Sequence, residues 1–164
     1  MSKGLAAALR RIDTRIRNNC EVALYVTADE IAGDFRQVTA RWSHKPKFAR
    51  IRTANKNIIS VTIEPDGKNA QIFKWVDQGT KGPYLIPKFG PTAPGQPLRF
   101  QTGHSAKTQP KGKYNQGSGQ ASGPWVAARR VIHPGITARE FTQTIAEDAL
   151  PILVQNERLA LRRV

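Results

Sequence analysis

Cysteine is nearly missing from this sequence, long apolar runs are absent, and acid is scarce. The single cysteine, Cys20, excludes an intrachain disulfide and a cysteine-built zinc cage. His44, His104 and His133 are dispersed along the chain, so no metal site is expected. No stretch of 18 apolar residues occurs, so no membrane span is expected. The N-terminal MSKGLAAALRRIDTRIR interrupts its apolar residues with arginines, which argues against a secretory signal.

The shortage of acid is uneven. The 164 residues carry 26 Lys+Arg against 12 Asp+Glu, a net charge of +14. Between Asp34 and Glu64 there are seven bases and no acid, and between Asp77 and Glu140 nine bases and no acid. Surfaces that face only water usually interleave the two signs. A polyanion or an acidic protein surface is therefore the expected neighbour of these segments.

What is present is ordinary core material, 39% apolar, enough for one domain spanning 1–164. Leu5, Leu9, Ile12 and Ile16 recur at helical spacing, and Ile31, Phe35 and Val38 resume the pattern. A helix is expected over 3–40, with a possible break at 18–28 and a capping box of Thr27 and Glu30 restarting it. KFARIRTA reads as a strand. Ile59, Val61 and Ile63 alternate with polar residues, as in a half-buried strand. After the turn EPDGK, Phe73 and Trp75 suggest a second strand, completing a hairpin. LRFQT and WVAARRVIHPG read as further strands.

Residues 103–123 are rich in Gly, Ser, Gln and Lys and hold one large apolar side chain, Tyr114. They read as a flexible arm. A last helix follows a second capping box, Thr137 and Glu140, with a kink or break expected at Pro151. The expected class is α+β: an antiparallel sheet of about four strands, packed by a long N-terminal and a C-terminal helix.

No catalytic constellation emerges. His133 reads as a turn histidine, Cys20 as a buried thiol, and Asp29, Glu30 and Asp34 as solvated helix residues. GSGQASG lacks the spacing of a phosphate loop. A nuclease using Asp77 and His133 lacks a second paired carboxylate. Sequence-nonspecific nucleic-acid binding fits the charge, and Trp42, Phe48, Phe100, Tyr114 and Trp125 are aromatics available for stacking. No reading motif for bases accompanies them.

Two segments carry a resemblance. FKWVDQGT, PYLIPKFG, LRF and WVAARRVIHPGITAREF follow in an order similar to the tail-component and neck family of tailed bacteriophages, which includes tail-completion proteins of the minor tail protein Z type. Trp75, Val76, Asp77, Gly79 and Thr80 match its Val-Glu-x-Gly-Thr region, with Asp replacing Glu. His133, Pro134, Gly135, Ala138, Arg139 and Phe141 match its His-Pro-Gly region, where Glu140 stands for the usual proline. The arm at 103–123 departs from the pattern.

The resemblance implies a virion protein of the head–tail junction, present in host cytoplasm during assembly. It implies no catalysis and no cofactor. It implies a homo-oligomeric ring, six subunits rather than twelve, joining a head-closure or connector protein to a tail terminator or tail tube around the DNA channel. Trp75 and Val76 would anchor a core strand, and the proline-rich stretch after Thr80 would form a stiff strap. Tyr84, Leu85, Ile86, Lys88, Phe89 and Tyr114 are then the expected interface residues. Arg50, Arg52, Lys107, Lys111 and Lys113 are those expected to face DNA or an acidic partner.

Overall fold

The computed structural model describes residues 3–55, 58–86, 97–106, 108, 119–128 and 130–163. The chain is α+β. Helix α1 (Lys3–Val38) is followed by strands β1 (Lys47–Ala54) and β2 (Ile59–Asp66), helix α2 (Ala70–Gln78) and strands β3 (Tyr84–Ile86) and β4 (Leu98–Gln101). Strands β5 (Trp125–Ala128) and β6 (Val131–His133) and helix α3 (Phe141–Leu161) complete it. The strands form three antiparallel two-stranded ribbons, β1–β2, β3–β6 and β4–β5.

Helix α1 runs 36 residues without the break expected at 18–28. Thr27 starts no new helix; its buried hydroxyl donates to the Ala23 carbonyl one turn back. Asn19, a weak helix former, instead donates its side-chain amide to the Ala160 carbonyl at the end of α3. Asn156 of α3 donates to Thr27 Oγ1. Helices α1 and α3 are thus antiparallel neighbours, stitched by amides, with the buried Ala23 and Ala160 side by side at their seam.

The second predicted strand of the hairpin is absent. Residues 70–78 form helix α2, and the β1–β2 ribbon pairs Lys47 with Asp66 through Ala54 with Ile59. The alternation of Phe73 and Trp75 would have placed both on one face. Instead Phe73 is 2% exposed and Trp75 48%, so Trp75 does not anchor the core. Phe73, Val76 and Asp77, at helical spacing, form the inward face of α2.

Phe73 sits at the centre of the core. Its ring meets Phe35 edge-on at 5.6 Å, Phe48 edge-on at 5.3 Å and Phe141 at 6.2 Å. Val38 and Ile145 complete the buried cluster, with Ile31, Trp42, Ile63 and Val76 packed around it. Trp42 and Phe48, two candidates for base stacking, are thereby core residues. Such aromatic pairs add about 0.5–1.5 kcal/mol each beyond the area they bury.

Candidate functional site at the junction of α2 and α3

The two segments that carried the resemblance lie against each other. Thr80 N–H donates to the Ile136 carbonyl at 2.9 Å, and Ile136 N–H donates to Thr80 Oγ1 at 2.9 Å. Arg139 N–H reaches the Val76 and Asp77 carbonyls, and Glu140 N–H the Asp77 carbonyl, each at 3.0 Å. The last carbonyls of α2 are therefore satisfied by the residues that lead into α3. Backbones this close leave no room for a Cβ. One on Gly79 would lie 2.6 Å from the Ile136 carbonyl, and one on Gly135 2.6 Å from the Thr80 carbonyl; both glycines have positive φ.

Asp77 is buried and caps α3 from outside that helix. Its Oδ1 accepts from Thr142 N–H at 3.0 Å and its Oδ2 from Thr142 Oγ1 at 2.7 Å. The expected capping box of Thr137 and Glu140 does not form. Glu140 adopts a left-handed conformation (φ 56) and makes no side-chain cap bond, so α2 supplies the cap instead. Asp77 does not bind the amides of its own turn, as a local Asx turn would have required. Helix α3 then passes through Pro151 unbroken.

Beside this junction lies a cavity of about 570 Å³, which brings His44, His104 and His133 together. Thr108, Thr137 and Arg139 also line it. Its apolar wall is Trp42, Ile72, Val76 and Ile136. His133 Nδ1 accepts a hydrogen bond from Gly135 N–H at 3.0 Å, which leaves the proton of the neutral ring on Nε2. The Tyr84 ring stacks on the His133 ring, with centroids 4.8 Å apart. Arg139 Nε is buried with no hydrogen-bond partner among the described residues. Among those residues no group of three His, Cys, Asp or Glu is placed to hold a metal ion.

The sequence did not reveal this cavity, because its histidines come from three distant segments. His44 follows α1, His133 ends β6, and His104 stands in the paired stem of the 103–123 loop, bridged to Ala121. Ser105 N–H donates to the Gln120 carbonyl and Ser122 N–H to the Gly103 carbonyl, so the loop's base is zipped.

The interface candidates Tyr84, Leu85 and Ile86 form β3 rather than a proline-rich strap, in register with His133, Ile132 and Val131. Leu85 is 54% exposed and its partner Ile132 71%. Trp125 of β5, at 72%, is a third exposed apolar residue of the ribbons. Lys88, Phe89, Lys107, Lys111, Lys113 and Tyr114 lie outside the described residues. Arg50 and Arg52 turn toward α1: Arg50 pairs with Asp29, and Arg52 Nε donates to Glu21 Oε1 at 2.6 Å. That hydrogen bond holds the Glu21 carboxyl below its ordinary pKa and raises that of Arg52. Two of the five cations expected to face an outside anion are thus engaged within the fold. Among the described residues no helix is long and apolar enough to cross a membrane. No protein-family model, curated protein or solved structure matches the chain.

Proposed function

We propose that this protein is a structural adaptor of the phage neck, a homo-oligomeric ring joining the head-closure or connector complex to the tail terminator or tail tube. The observation that carries the oligomeric part is the N-terminal half of α1. Its apolar stripe continues beyond the end of α3, and Leu5, Leu9 and Ile12 are 51%, 52% and 45% exposed. A contiguous apolar stripe left in water marks a surface that another chain covers. The exposed pair Leu85 and Ile132 on a two-stranded ribbon supports the same reading, since such ribbons are marginal until packed. The location at a head–tail junction rests on the resemblance of residues 75–80 and 133–141, and the charge of +14 suits a channel through which DNA passes.

The test is sedimentation of the full chain, then assembly. A ring is expected for the native sequence and a folded monomer for the double change Leu9→Lys and Ile12→Lys. In head–tail joining, that variant and the Tyr84→Ala, Leu85→Lys variant are expected to fail. A native chain that stays monomeric in assembled particles rejects the ring. Tight binding of DNA by that monomer, lost steeply with salt, would identify a free nucleic-acid-binding protein instead.

A further inference from the structure

We propose that the cavity beside the α2–α3 junction binds a small ligand carrying one oxyanion group, a phosphate or a carboxylate, on an apolar body. The lining supplies donors for an oxyanion and no competing charge: among its described residues there is no carboxylate. Arg139 brings a permanent cation, and its buried Nε–H lacks an acceptor among the described residues. Arg139 lines the cavity, and a charge-assisted hydrogen bond from its guanidinium to an oxyanion is stronger than one from a neutral donor. His133 offers its Nε2–H, because Nδ1 is held by Gly135. His44, His104 and the Thr108 and Thr137 hydroxyls line the same space.

The remaining wall sets the rest of the ligand. Trp42, Ile72, Val76 and Ile136 make an apolar surface that a bare inorganic ion would leave uncovered. About 570 Å³ lies within the range of small-molecule sites, which are mostly apolar with a few convergent polar groups. Three backbone connections fix the donors relative to one another: β6 carries His133, the bonds of Arg139 N–H to α2 position Arg139, and the His104–Ala121 bridge holds the third segment. The site is therefore built by the fold and does not depend on oligomerisation.

All three histidines of the chain line this cavity, so their imidazole C–H signals report on it without background. The full-length protein is titrated by NMR with phenyl phosphate, benzoate and inorganic phosphate, with chloride as the control anion. Saturable shifts of at least two histidine signals are expected with phenyl phosphate or benzoate, and the tighter of the two identifies the oxyanion. Inorganic phosphate, without the apolar body, is expected to bind at least about tenfold more weakly. Arg139→Gln is expected to weaken binding by at least about tenfold, while Arg130→Gln, outside the cavity, leaves it unchanged. Should Arg139→Gln fail to fold, Thr137→Val and His104→Ala provide the same comparison, each with reduced affinity. Absence of saturable shifts with all three probes overturns the proposal. So does unaltered affinity in the folded variants.

Discussion

The two halves of α1 carry one apolar stripe and meet opposite fates. In residues 19–38 the face turned to α3 and the core is covered, with Ala23 and Phe35 each 6% exposed and Val38 3%, while Val22 and Val26 beside it stay exposed. In residues 3–18 it is not, with Leu9 52% exposed. The uncovered half holds the larger side chains where the stripe is most apolar, Leu5, Leu9 and Ile12. The half against α3 meets it through the small, buried Ala23 and Thr27. Hydrophobicity alone would have buried the leucines first. Burial instead follows where α3 lies, and small side chains let two helices approach closely while bulky ones hold them apart. Aromatic bulk returns at Phe35, where the helix meets α2 and the β1–β2 ribbon across a wider space.

The sharpest way to break this comparison is to empty the covered half. Phe35→Ala removes a ring that stacks on Phe48 at 5.0 Å and touches Phe73; it is expected to cost about 3–5 kcal/mol in urea denaturation. Next, Asp77→Ala leaves the start of α3 uncapped and should cost about 1–3 kcal/mol. Hydrogen exchange in that variant should quicken at 141–145 and in the covered half of α1, and remain unchanged at 5–16. In the uncovered half, Leu9→Ser is expected to alter monomer stability by no more than about 0.5 kcal/mol while weakening self-association. A loss above about 1.5 kcal/mol in the monomer would place Leu9 in the core and erase the contrast.

The smallest effect lies at the boundary between the halves, where Glu21 meets Arg52. The Glu21 pKa is lowered in the folded protein, so the carboxylate's contribution is present above the unfolded value near 4.5 and is lost as pH falls through the folded value. The stability difference between the native chain and Glu21→Gln should be constant at neutral pH and vanish in acid. A difference that grows as pH falls would reverse the assigned sign.

Much of the fold was legible where a pattern is long or regular. Six residues of alternation in β2, and the stripe through α1, each repeat often enough to identify one period. Residues 70–78 were misread because nine residues satisfy both periods: Phe73 and Trp75 alternate, while Phe73 and Val76 are a helical turn apart. The β1–β2 pairing had already used the neighbouring strand, and the aromatic cluster took Phe73 alone. The cap of α3 escaped for a related reason. A capping box is a local pattern, and Thr137 with Glu140 fits it, yet the carboxylate that bonds Thr142 stands 65 residues earlier.

The sequence by itself determined the α+β class, the helical stripe, the strands β1 and β2 taken singly and the excess of positive charge. These depend on periodicity and composition, which neighbouring residues express without help. Tertiary structure alone decided which half of α1 is covered, that Asp77 caps another helix, that Arg50 and Arg52 pair with acids of α1, and that three separated histidines share one cavity. Each depends on surfaces meeting across long stretches of chain, where packing geometry rather than local spacing selects the partner.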